Sequence, residues 1–108
     1  VYEGNYNADG PFIYTGFKPA WIVVKEADNS NDWDIRDAAR NPHNPVDNWL
    51  RFNTNDAEGD SDGIDFLSNG FKIRQTSNRT NRSDGTMLYM AFAEHPFVSS
   101  EGVPCTAR

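Results

Sequence analysis

A single cysteine, Cys105, leaves this 108-residue chain with no possible intrachain disulfide. Its fold must therefore rest on packing, on a metal, or on neighbours in an oligomer. Cys105 also lies near the C-terminus with no base placed to activate it, so it reads as an incidental thiol. Cationic charge is scarce as well: 10 Lys and Arg stand against 16 Asp and Glu, for a formal net charge of −6. Such a surface repels phosphate, and the one basic cluster, Lys72, Arg74, Arg79 and Arg82, is diluted by Asn and Ser, so nucleic acid is not an expected partner. Apolar runs fall far short of the roughly 18 to 20 residues that span a bilayer, so no membrane insertion is expected. No segment keeps a helical period beyond two turns, and there is no glycine-rich phosphate loop. The chain opens on Val1 and reads as a piece of a longer polypeptide.

What is present is turn chemistry alternating with aromatic and β-branched segments. Hydrophobic residues make up 37% of the chain and aromatics 13%, so burial is expected to depend on a few large rings. Clusters of Asn, Asp, Gly and Pro recur at short intervals, among them Asn7–Pro11, Asp28–Asp32, Asn41–Pro45, Gly59–Gly63 and Asn78–Gly85. This spacing predicts an all-β, antiparallel β-sandwich, jelly-roll or lectin-like, of about eight short strands. The expected strands are Val1–Tyr6, Phe12–Thr15, Trp21–Lys25, Trp33–Asp37, Trp49–Asn53, Ile64–Phe66, Phe71–Gln75 and Met87–Glu94. Asp37–Arg40 could form one helical turn before Pro42. The sandwich is expected over residues 1–97, followed by a C-terminal tail at 98–108.

Alternation assigns faces. Seven consecutive apolar residues, Met87 to Ala93, make both faces of that strand apolar and predict a central strand, closed by Glu94 and Pro96. Trp21–Val24 reads as a second central strand. In Trp33–Asp37, Trp33 and Ile35 point one way and Asp34 and Arg36 the other. In Phe71–Arg74 the core side is Phe71 and Ile73. In Trp49–Asn53, Leu50 and Phe52 are expected to face the core, which turns Trp49 and Arg51 outward together.

That outward pair is the leading ligand-binding candidate. A Trp49 ring beside Arg51 and Asn53, with Arg40 and Asn41 in a neighbouring loop, could stack on the apolar face of a sugar while amides and guanidinium groups take its hydroxyls. The same ring could instead be covered by a loop or a neighbouring subunit as an interface anchor. Asp60, Asp62 and Asp65 are the candidate cation ligands, with Ca²⁺ the suitable ion. The loop lacks a third ligand two residues on and a bidentate Glu, so it reads first as a polar hairpin loop whose Asp side chains cap turn amides, with the cation site as the alternative. No acid and base stand out among the carboxylates, and His43 and His95 fall in no metal or triad spacing, so no enzyme is expected. Asn78-Arg-Thr80 and Asn81-Arg-Ser83 are sequon matches of little weight in an Asn-rich chain.

The segments Asp9–Lys25, Trp33–Asp37, Ala39–Pro42, Gly63–Lys72 and Tyr89–Phe97 together resemble a small domain of bacteriophage tail-fibre and related structural proteins, typical of marine and cyanobacterial phages. The resemblance runs from about Tyr2 to Phe97 and implies no specific binding residue. It implies a virion structural protein located in a tail appendage and assembled in the bacterial host cytoplasm. It also implies a homo-oligomer, usually a homotrimer, that serves in host attachment by binding a receptor polysaccharide on the cell surface. A purely structural module joining fibre subunits and a small polysaccharide depolymerase are the alternatives.

Overall fold

The computed structural model describes residues 1–94, 97, 98, 104 and 105, and for Asp62 and the last four of these the backbone alone. Strands β1 (Tyr2–Glu3), β2 (Phe12–Tyr14), β3 (Pro19–Glu26), β4 (Asp34–Asp37), β5 (Val46–Arg51), β6 (Gly59–Leu67) and β7 (Gly70–Ile73) precede a one-turn helix α1 (Asn78–Asn81). Strands β8 (Thr86–Ala93), β9 (Phe97–Val98) and β10 (Pro104–Cys105) follow. Strands β1 to β8 form a single sheet in the order β1-β8-β3-β4-β5-β6-β7-β2, with every ladder antiparallel. The all-β antiparallel expectation holds. Hydrogen bonding runs unbroken through all eight strands, however, and the sheet curls until it nearly closes into a barrel.

The curl turns on β5, which pairs with β4 through Leu50 and Arg51 and with β6 through Val46, Asn48 and Trp49. Register shifts between Val46 and Asn48, and such an irregularity bends a strand and changes which face its side chains take. Inside the roll lie Ile22, Val24, Val46, Ile64, Phe66, Phe71, Ile73 and Met87, drawn from strands on both sides of the bend. Tyr2 on β1 meets Phe71 on β7 edge-on, with ring centroids 6.1 Å apart, and donates its hydroxyl to the carbonyl of Thr80 at 2.7 Å.

The seam left by the incomplete barrel is tied by one buried amide. Asn81 accepts from the Asn5 backbone at 2.8 Å and donates to the carbonyls of Asn7 at 2.8 Å and Gln75 at 2.6 Å. It lies on α1, whose start is capped by Ser77. A second tie closes the loop after β3. There the fully buried Glu26 accepts from Asn29, Asn31 and Arg82.

All eight expected strands are present, with several departures. Glu58–Asp65, read as a polar hairpin loop, lies mostly within the nine-residue strand β6, because it pairs with both β5 and β7. The helix falls at Asn78–Asn81, while Asp37–Arg40 makes a turn in which Asp37 accepts from the Arg40 backbone. Strand β8 is buried on one face only. Its neighbour β1 is two residues long, and Leu88, Met90 and Phe92 look out to solvent. The stop assigned to Pro96, the reading of His95 and most of the 98–108 tail lie outside the described residues, as does the Cys105 side chain. The described parts of that end, β9 and β10, pair with each other.

Candidate functional site

The strongest electrostatic feature lies inside the bend. Asp34 faces the interior from β4, paired across to Val24 on β3, and Arg36 follows two residues on, paired to Ile22. Both are fully buried, with the Arg36 Nη2 3.0 Å from Asp34 Oδ2 and its Nε donating to the same oxygen at 3.0 Å. The remaining fork of the guanidinium donates to the Val46 carbonyl at 3.1 Å and the Ser61 carbonyl at 3.0 Å. Arg36 thus supplies donors to carbonyls of β5 and β6 at the place where their ladder is irregular. Asp34 Oδ1 has no hydrogen-bond partner among the described residues. Burial pushes the Asp34 carboxyl above its usual range, opposed by the Arg36 charge and hydrogen bond. The Tyr2 hydroxyl is pushed up too, chiefly by its own burial and then by Asp34.

Trp49 and Arg51 do share a face, but it is the one opposite to expectation. Arg51 pairs across to the inward Asp34, whereas Leu50 pairs to Ile35 and Phe52 lies exposed against Trp21 and Trp33. The reversal follows from the irregularity in β5. Val46 is in the core, and the shift between Val46 and Asn48 places Trp49, an odd number of residues later, on that same side of the strand. The indole is half-buried: Arg51 stacks 4.0 Å from its centroid, Arg79 lies at 6.0 Å, and its Nε1 donates to Ser61 Oγ at 3.1 Å. A Cβ on Gly59 would come within 2.3 Å of the ring, so glycine is what lets the indole lie flat on β6. Arg51 also pairs with Asp32 at 3.4 Å and Asp56 at 3.0 Å. Trp49 is therefore one wall of a packed polar mouth and not a free stacking platform.

The other expected site residues are dispersed. Asn53 accepts from the Trp33 backbone and donates to Asp32, which fastens one loop to another. Arg40 is clamped between Asp37 at 2.7 Å and Glu58 at 2.9 Å. Burial alone would raise the Asp37 carboxyl, but hydrogen bonds from Arg40 outweigh it and hold the group below its usual range. Asp60 is exposed, Asp65 lies 3.7 Å from Arg74, and the Asp62 side chain is outside the described set. Among the described residues no cluster of three or more His, Cys, Asp or Glu could hold a metal ion. Of the sequon asparagines Asn78 is exposed, while Asn81 is the buried seam tie and offers no site for a glycan.

Only Asn41 reaches a cavity. A pocket of about 240 Å³ opens beside the Asn41–Pro45 loop, with Val46 and Phe66 as its floor and Lys18, Asn41, His43 and Asn44 around it. The two amides are committed to holding the loop. Asn44 exchanges a pair of 2.9 Å hydrogen bonds with the Phe66 backbone, and Asn41 accepts from the Asn48 backbone at 2.8 Å while donating to Asp47. The Asn44–Pro45 peptide is cis. Lys18 and His43 are exposed, and their side chains make no hydrogen bond or ion pair within the described residues. Sequence reasoning missed Lys18, which sits far from the loop in sequence and carries no local signal.

It also missed the outer side of the sheet. Trp33, Phe52, Leu88, Met90 and Phe92 are all exposed there, and Trp21 packs among them, 5.3 Å from Phe92 and 6.1 Å from Phe52 between centroids. A signal was available in Met87–Ala93. The outward set is Leu, Met and Phe, while the inward set shrinks to Ala91 and Ala93.

The molecule is thus an all-β domain made of one rolled sheet with polar loops. Its residues 1–96 match a family described as a domain of unknown function (DUF7483), and the chain belongs to that family. Comparison with curated proteins and with solved structures gave no match. No helix among the described residues is long and apolar enough to cross a membrane.

Proposed function

We propose that this chain is a non-enzymatic structural and adhesion module of the bacteriophage tail-fibre type, held in a virion appendage as an oligomer and contacting host-surface glycan. The observation that carries the adhesion reading is the pocket beside Asn41–Pro45. Its lining is chiefly polar, over the buried Val46 and Phe66, and suits the hydroxyls of a sugar. Because Asn41 and Asn44 tie the loop to β5 and β6, the pocket is formed in advance and little ordering opposes binding. Lys18 and His43 keep their donors for the ligand. Asn41 is the residue shared with the sequence reading, while Arg51 and Asn53 fasten the loops at Asp32 and Asp56 and do not line the pocket. A shallow site of this kind gains useful strength from repetition in an oligomer, a trimer in the setting that the resemblance implies. For the fold, the sandwich remains part of the proposal, supported by a core drawn from strands on both sides of the bend.

The test is a glycan array of bacterial surface polysaccharides probed with the chain, with Lys18→Ala and with His43→Ala. Binding by the parent chain that falls at least tenfold in both variants, with unchanged melting, supports the reading; a parent chain that binds no glycan removes it. Release of reducing sugar from a bound polysaccharide would turn the module into a depolymerase. A second reading, a module that only joins subunits of a fibre, is favoured by the exposed aromatic side of the sheet.

A further inference from the structure

The outer side of β8, β3, β4 and the end of β5 is unusual in what it leaves in water. Trp33, Phe52, Leu88, Met90 and Phe92 retain between 41% and 59% of their surface. At roughly 150 to 250 Å² for each large side chain, that is on the order of 500 Å² of apolar area in one patch. The largest apolar patch of a typical monomer is itself about 300 to 600 Å² and is often functional, and a standard interface removes about 800 Å² from each partner. The patch is thus large enough to form the centre of a stable interface, with the rim supplying the rest.

Charge decides what kind of partner fits. The chain carries a net −6, yet Trp21, Val23, Trp33, Ile35, Leu50, Phe52, Leu88, Met90 and Phe92 include no ionisable group. Two charged residues share that side: Lys25, at the edge of the groove, is folded back with its ammonium donating to the Glu26 and Asn29 carbonyls, and Asp37, across from Trp21, is neutralised by Arg40 at 2.7 Å. A basic partner would be drawn to the acidic loops and gain nothing here. A face whose few charges are already paired within the chain is matched by another of the same kind, and in a strongly acidic chain it is the place where two copies meet without opposing unpaired carboxylates. Shape agrees with this. A groove of about 220 Å³ lies between Trp33 on one side and Leu88 and Met90 on the other, and the rings of Phe52 and Phe92 stand out next to it. The rings are tilted by 41° to 58° where they meet, so they make an uneven surface of knobs and not the flat platform that stacks on a sugar.

We infer that this face is the homo-oligomer interface of the protein. A ring of one copy enters the Trp33–Leu88–Met90 groove of the next. The inference is independent of whether the Asn41–Pro45 pocket binds sugar, since the two surfaces share no residue.

Sedimentation velocity of the full chain from micromolar to millimolar concentration, beside Met90→Asp and Phe92→Ser, tests it. Both substitutions are at exposed positions and leave the interior untouched, and circular dichroism checks that the fold is kept. Tyr14→Ser, at an exposed ring on β2, is the control. The expected result is a dimer or trimer for the parent and the control, with self-association weakened at least a hundredfold in the two face variants. A parent chain that stays monomeric at millimolar concentration overturns the inference. So does an oligomer that survives both face variants. Two further measurements name the rival occupants. Hydroxyl-radical labelling that finds Phe92 and Met90 protected in a monomer would assign the cover to another part of the same chain. Flotation of a monomeric chain with phosphatidylcholine vesicles would assign it to a lipid surface.

Discussion

The two sides of strand β4 hold opposite chemistries from those a soluble sheet usually presents. Its inner side carries the buried Asp34–Arg36 pair, and its outer side leads to the exposed rings of Trp33 and Phe52. Inward charge is tolerated because, where the β5–β6 register is irregular, one guanidinium donates to the carbonyls of both Val46 and Ser61 as well as to Asp34. Outward aromatics have no such intramolecular compensation. The inner side is therefore complete within one chain, whereas the outer side is complete only when something covers it. Damage to the first should show in stability, and damage to the second in association.

The largest effect is expected from Arg36→Met. It strands the Asp34 carboxylate and two carbonyls in the interior, and should cost about 3–5 kcal/mol in denaturant unfolding. The double variant Asp34→Leu, Arg36→Met should recover much of that loss, because it leaves no unpaired charge. A double variant as unstable as the single one would refute the account of the pair. Next is Asn81→Ala, which removes the side-chain bonds to Asn5, Asn7 and Gln75 and should cost roughly 2–3 kcal/mol. Faster hydrogen exchange confined to the β1–β2 connection and α1 would locate the damage at the seam.

Gly59→Ala drives a methyl into the Trp49 ring and should cost about 1–3 kcal/mol. A shift in indole fluorescence should accompany it, since Arg51 can no longer stack as before. Phe92→Ser, on the outer side, should cost the monomer only about 1 kcal/mol in unfolding, through its lost contact with Trp21. The smallest effect concerns pH. The Asp37 carboxyl is held below its usual value of 3.8 by Arg40, so the ionised form favours folding. That contribution is present above the ordinary carboxylate range and fades as pH falls through the lowered value. Asp37→Asn should accordingly melt below the parent at neutral pH, and the difference should close in strong acid.

Much of the architecture was legible before any coordinates. Turn clusters marked the connections, and β-branched and aromatic runs marked all eight strands of the rolled sheet, because both signals are local. Phe71 and Ile73 were assigned inward correctly from alternation alone, since Lys72 and Arg74 between them leave no other choice. The candidate site was legible only at Asn41. Lys18 and His43 come to one pocket through a pairing of distant segments that no local pattern encodes.

Alternation itself determined that Trp49 travels with Arg51, Leu50 with Phe52, and Asp34 with Arg36. Which member of each alternating set faces inward was decided by the tertiary structure. The physical reason is that a two-residue period has no sign of its own. The sign comes from whichever side can satisfy its polar groups. Here the irregularity between Val46 and Asn48 supplies acceptors for Arg36 inside and reverses β5, which carries Trp49 in and leaves Phe52 out.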